Sequence, residues 1–176
     1  MRQRNQTQAS EATNRLPPTA AEMEQRLSGL GPLQLQLDGC RLTAPAPLRK
    51  RLGAHCGQQY VFSIWHGPRL RIIPQALWPS YLKSVRAEAN DCALADDLVL
   101  RLRQTCATRS LDGHDRWDLP VSLARPAGLI TAQNSVVLLP FRFWLEVLSS
   151  TVWDAFITQT LQRAHEADAR PAGFEI

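Results

Sequence analysis

A short phrase occurs twice in this chain, and its return constrains the fold more than any other feature. Leu37-Asp38-Gly39-Cys40-Arg41-Leu42-Thr43-Ala44-Pro45 comes back as Leu111-Asp112-Gly113-His114-Asp115-Arg116-Trp117-Asp118-Leu119-Pro120. From Arg41 onward the two copies align without a gap at a spacing of 75 residues, so that Pro45 meets Pro120, Leu48 meets Leu123, Gly53 meets Gly128, Val61 meets Val136, Leu70 meets Leu145 and Trp78 meets Trp153. Unlike pairs agree in kind: Lys50 falls opposite Arg125, Tyr81 opposite Phe156 and Leu82 opposite Ile157. A fixed period over such a span is the signature of a duplicated structural unit.

At 176 residues, 44% of them hydrophobic, the chain makes one domain, or two small halves around a shared core. Its net charge of +4 is carried by arginine, with Lys50 and Lys83 the only lysines, and guanidinium forks suit phosphates and base edges. Cys40, Cys56, Cys92 and Cys106 form no C-x-x-C pair and have no histidine pair near them, which argues against a zinc site and gives no disulfide framework. The polar stretch Met1 to Arg15 does not read as a signal peptide. The most apolar run, Ser135 to Leu148, is interrupted by Arg142 and Glu146 and is too short to span a bilayer. The expectation is a soluble cytoplasmic protein.

In chain order, residues 1–30 read as a disordered arm, carrying Arg2, Arg4 and Arg15, followed by a short helix capped by Thr19 with Met23, Leu27 and Leu30 on one face. Residues 31–85 form the first unit. Leu33 to Leu37 alternates apolar and polar as a half-buried strand, Asp38-Gly39 turns it, and Arg41 to Ala44 is a second short strand. Leu48 to Leu52 gives one or two helical turns stopped by Gly53; Tyr60 to Trp65 and Leu70 to Ile73 make a hairpin around His66-Gly67-Pro68; Gln75 to Val85 is a helix. Residues 86–104 hold a connecting helix with Leu94, Leu98, Leu100 and Leu102 as its apolar residues. Residues 105–165 repeat the plan, with strands at Thr105 to Leu111 and Arg116 to Leu119, a short helix from Val121 to Ala127, a hairpin of Val136 to Leu139 with Phe143 to Leu148, and a helix from Ser150 to about Ala164. Residues 166–176 read as a frayed tail.

Enzymatic readings find little support. The chain has no G-x-x-x-x-G-K, no G-x-G-x-x-G and no nucleophile elbow, and His55 and His66 sit in loops without an evident partner. Asp112, His114, Asp115 and Asp118 crowd together, but Asp and Gly are wanted at a turn for backbone reasons, so the expectation is no metal, no cofactor and no catalysis. The basic residues recur at one place in the plan: Arg41 and Arg116 follow the turn, and Arg49, Lys50 and Arg51 are echoed by Arg125. Halves packed about a pseudo-twofold axis would double that basic surface into a duplex-binding footprint. Equally open is a structural role, in which each arginine pairs with its own Asp38 or Asp112 to lock the turn.

The D…R-x-x-x-P phrase followed by Leu48-Arg49-Lys50-Arg51-Leu52-Gly53 resembles the AbrB-like swapped-hairpin DNA-binding fold. Two such phrases in one chain, each followed by a hairpin and a Trp-bearing helix, resemble the MraZ family of bacterial transcriptional regulators. The likeness covers about Leu33 to Phe156, and Asp112 to Arg116 matches the D-x-x-x-R pattern in full, whereas Asp38 to Arg41 is one residue short. The resemblance implies an α+β fold: a duplicated AbrB/SpoVT-like β-barrel with short flanking helices. It implies sequence-specific binding of double-stranded DNA at promoter repeats, regulation of a division and cell-wall gene cluster and of the protein's own gene, ring-like homo-oligomers, and a place on the nucleoid. It makes Arg41, Arg49, Lys50, Arg51, Arg116 and Arg125 the DNA-binding residues, with Asp38, Gly39, Asp112 and Gly113 as the turn motif. A rival reading keeps the barrel and ring as an assembly or interaction protein without DNA recognition, and a third, an antitoxin-like protein, is disfavoured by the lack of apolar anchors in the long N-terminal end.

Overall fold

The structure, a computed structural model, describes residues 17–53, 59–64, 67–89 and 92–168. The expected N-terminal arm, His55, Cys56, Trp65, His66 and the tail from 169 lie outside the described residues. Thr19 opens α1 (Ala20–Leu27) with a capping box: its hydroxyl accepts from the Glu22 N–H at 3.3 Å while the Glu22 carboxylate accepts from the Thr19 N–H at 2.7 Å. Strands β1 (Leu33–Asp38) and β2 (Arg41–Thr43) follow, then α2 (Ala46–Leu52), β3 (Gln59–Ile64), β4 (Leu70–Pro74), a 3-10 turn (Gln75–Leu77), α3 (Trp78–Glu88) and α4 (Cys92–Thr105). The second run is β5 (Ala107–Ser110), β6 (Arg116–Asp118), α5 (Val121–Ala124), β7 (Ser135–Phe141), β8 (Trp144–Ser149) and α6 (Ser150–Asp168).

The molecule is an α+β fold whose eight strands form a nearly closed antiparallel barrel in the order β5-β3-β4-β8-β7-β1-β2-β6, with six helices among the described residues. A bridge between Leu111 and Trp117 brings β5 back to β6 and all but completes the ring. Each hairpin of one run is thus flanked by strands of the other. Strand β1 pairs with β7, β3 with β5, β2 with β6 and β4 with β8.

The ladder maps onto itself when the two runs exchange. Leu42 opposite Trp117 is the centre of the β2–β6 pair, and Arg71 opposite Glu146 is the centre of the β4–β8 pair; each couples residues 75 apart. The gapless sequence alignment needs one correction. Leu33 opposite Leu138 corresponds to Ala107 opposite Phe62, and Tyr60 opposite Pro74 corresponds to Val136 opposite Ser149, so β3 matches β7 at a spacing of 76 and β1 matches β5 at 74. Val61 therefore meets Val137. The extra residue lies between Gly128 and β7, and it is cancelled by a tighter hairpin in which only Arg142 and Phe143 separate β7 from β8.

Inside the barrel lie Leu42, Tyr60, Phe62, Leu70, Ile72, Trp117, Leu138, Leu145 and Val147, all buried, as alternation along the strands requires. Outside it, α1 adds Met23 and Leu27 to the core, and α3 buries Tyr81, Leu82 and Val85. Helix α4 covers α3 through only two of the four leucines expected, Leu98 and Leu102. Ala95, Val99 and Leu102 are its buried residues, while Leu94 and Leu100 are 52% and 53% exposed; Leu98 and Leu102, four apart, share the inward face, and Leu100 falls on the opposite one. Helix α6 also differs from expectation: it runs four residues past Ala164, and its Phe156 and Leu161 are exposed.

Candidate nucleic-acid interface

The short β2–β6 ribbon carries the arginines that follow the two turns. Leu42 and Trp117 point inward, which leaves Arg41, Thr43, Arg116 and Asp118 on the outer face, with Arg41 directly opposite Asp118. The ribbon is lengthened at both ends by equivalent bonds, Ala44 N–H to the Asp115 carbonyl at 2.9 Å and Leu119 N–H to the Cys40 carbonyl at 2.8 Å. Proline starts the helix after each strand: Pro45 precedes α2 and Pro120 precedes α5, where a missing N–H costs nothing. Gly53 and Gly128 end the two helical segments at φ +65° and +66°, a conformation that favours glycine.

The two turns do different things. The first is tight, with Gly39 at φ +62°, and among the described residues Arg41 has no carboxylate held to its guanidinium. In the second, one residue longer, Asp112 Oδ1 accepts from the N–H groups of His114 and Arg116 at 2.8 and 2.9 Å, and its Oδ2 accepts from Arg116 Nε at 2.9 Å. Arg116 thus takes the structural role and locks its own turn. Asp115 supplies the left-handed residue at φ +59°. Desolvation pushes the Asp112 carboxyl upward, but the Arg116 and His114 donors outweigh it and hold the group at about 2, against an ordinary 3.8. A carboxylate depressed in the folded state stabilises above the unfolded value and loses that contribution as the pH falls through the folded one. Asp112→Asn should therefore be less stable than the parent at neutral pH, with the difference closing between about pH 4 and 2. Parallel acid titrations followed by circular dichroism would show this, and a constant gap across that window would refute it.

The cluster on α2 divides as well. Arg49 is ion-paired to Asp115, tying the helix of one run to the turn of the other. Arg51 Nη1 donates to the carbonyls of Arg26 at 3.0 Å and Ser28 at 3.2 Å, satisfying the C-terminal end of α1. Lys50 is exposed, as is Arg125 at the end of α5. Gly113 lies in the second turn and Asp38 pairs with Arg41 as the last ladder residue of the first. Four aspartates, Asp38, Asp112, Asp115 and Asp118, share this side of the barrel with the arginines. Among the described residues no group of three His, Cys, Asp or Glu side chains is placed to hold a metal ion.

A second polar cluster, not anticipated as a site, lies on the outer face of β4 and β8. Glu146, 3% exposed, accepts from Arg71 Nε at 2.9 Å, from Trp144 Nε1 at 3.3 Å and from Arg69 Nη1 at 3.5 Å. Arg71 Nη1 donates to the Tyr81 hydroxyl at 2.9 Å, and the guanidinium lies over the Trp144 and Tyr81 rings at 5.2 and 5.6 Å. Burial raises the Tyr81 hydroxyl pKa above its ordinary value, with Arg71 opposing the rise. The signal in the sequence was a pair of opposite charges 75 residues apart, each inside an apolar run.

No family model and no curated protein sequence matches this chain. Among the described residues no helix is long and apolar enough to cross a membrane.

Proposed function

We propose that the chain is a duplicated swapped-hairpin barrel of the AbrB-like kind, in the manner of the MraZ regulators, and that it binds double-stranded DNA as a transcriptional regulator on the nucleoid, as a homo-oligomer and without a cofactor. The observation that supports this reading is the ladder that maps onto itself. It places Arg41 and Arg116 at equivalent points beside the axis, and Lys50 and Arg125 at equivalent points on the flanking helical segments. A twofold set of cations suits a duplex whose two backbones are themselves related by twofolds. Lys50, Arg125 and Arg41 make the phosphate contacts that supply affinity, and Arg116, oriented by Asp112, offers what remains of its guanidinium to a base edge.

Lys50→Ala and Arg125→Ala should each weaken binding and lower the slope of log K against log salt by about 1, because each removes one phosphate contact. Neither is expected to unfold the protein, since neither side chain is bonded to another described residue. The measurement is fluorescence anisotropy against the gene's own upstream duplex and a shuffled one at two salt concentrations, and salt slopes unchanged in both variants would count against this surface.

A second reading is favoured by a specific observation: Arg49, Arg51 and Arg116 are already engaged by protein acceptors, and four aspartates share their surface. On that reading the barrel is an assembly or interaction protein. Absence of binding to either duplex at either salt, from a folded oligomer, would select it.

A further inference from the structure

The β4–β8 seam is where the two runs meet face to face, and its central residues are one position in the repeat. Arg71 and Glu146 lie opposite each other, between the pairs Leu70–Val147 and Ile72–Leu145. We propose that this charge reversal makes the seam selective for unlike halves: it accepts one first half and one second half, and excludes two of a kind. The inference rests on the two-half reading above and adds which partner each half takes.

Two first halves would bring Arg71 against Arg71 on the axis, and two second halves Glu146 against Glu146. Glu146 is almost fully buried and Arg71 is only 11% exposed, so neither like pair has water to screen it. The surroundings have diverged in the same sense. Trp144 and its equivalent Arg69 both donate toward Glu146, a set of donors suited to a carboxylate and to nothing cationic. The Tyr81 hydroxyl accepts from Arg71, while its equivalent Phe156 has no oxygen to offer. Arg69 of the first half thus serves Glu146 of the second, and the Trp144 ring of the second half underlies Arg71 of the first, while Tyr81 and the Trp144 N–H serve the member carried by their own half. The ion pair also leaves exchange between copies possible, since a first half of one chain fits the second half of another.

The test uses the full chain with a protease site placed between Ala89 and Cys92. The folded protein is cleaved, unfolded in denaturant and refolded, and native mass spectrometry counts the complexes. Wild type should return unlike pairs in excess of like pairs on the order of a hundredfold or more. R71M/E146M replaces the ion pair with apolar side chains, an exchange that buried pairs commonly tolerate, and should raise the like-paired fraction at least about tenfold. Helix α4, which travels with the second fragment and covers α3, keeps unlike pairs ahead even there. An R71M/E146M mixture as exclusively unlike as wild type would overturn the proposal and assign selectivity to α4. Should that variant fail to refold, nicked wild type mixed with nicked R71E supplies first-half fragments of opposite sign, and pairs of first halves should rise at least about tenfold over nicked wild type alone; no rise would overturn it equally. Fragments that part into folded monomers after cleavage would instead remove the two-half reading itself.

Discussion

Glu146→Leu should destabilise the protein by about 3–5 kcal/mol, because it leaves the Arg71 guanidinium desolvated beneath α3 with its charge uncompensated. The loss does not measure what the ion pair contributes. Burying two charges costs nearly what their attraction returns, and the expected corollary is that R71M/E146L recovers most of the stability that E146L loses. The aromatic rings around Arg71 sharpen the prediction. Trp144 and Tyr81 give the guanidinium a π surface on two sides, but neither supplies the negative charge it needs. Denaturant unfolding of the single and double variants closes the cycle, and an E146L midpoint within error of wild type would show that water reaches Arg71 in solution.

Trp117→Ala should cost a similar amount, about 3–5 kcal/mol, for a different reason. Trp117 is fully buried opposite Leu42 at the other pole of the axis, edge-on to Tyr60 with ring centroids 5.4 Å apart. Removing the indole empties the point where β2, β6 and β3 converge, and a closed ladder has little freedom to collapse into the gap. Its indole N–H has no acceptor among the described residues, which makes Trp117→Phe informative. That change gives up ring volume but also removes a buried, unsatisfied donor whose burial costs about 1–3 kcal/mol, so it should fall within about 1 kcal/mol of wild type. A Trp117→Phe protein as unstable as Trp117→Ala would mean that the N–H finds a partner after all.

The strands were readable because alternation survives in short segments: Leu33, Leu35 and Leu37 face inward between exposed Gln34 and Gln36, and the glycines at 39, 53 and 128 mark reversals that need positive φ. The register of β3 against β7 was not readable, since one residue added before β7 and one lost in the following hairpin cancel in a gapless alignment. Leucine content misled in part at α4, where Leu102 is buried but Leu94 and Leu100 are not, and Ala95 is: position around the helix decides which side chains face inward. The basic positions were readable, but what holds them was not. Arg49 meets Asp115 across 66 residues, and Arg51 reaches the end of α1; contacts of that range depend on the completed barrel. The turn lock left open for both Arg41 and Arg116 forms, among the described residues, only at Arg116, because the longer second turn lets Asp112 reach around its arginine.

The alternation of strands from the two runs has a temporal consequence. While the chain is being made, β1, β3 and β4 leave the ribosome with the edges that β7, β5 and β8 will occupy still bare. At about 5–20 residues per second, the wait for the matching strand runs from roughly 2 s for β3 to roughly 20 s for β1. Through that interval the nascent first half resembles an exposed sheet edge more than a domain. The long loops that must close before β1 finds β7 make folding slow, so the bare edges persist beyond the end of synthesis.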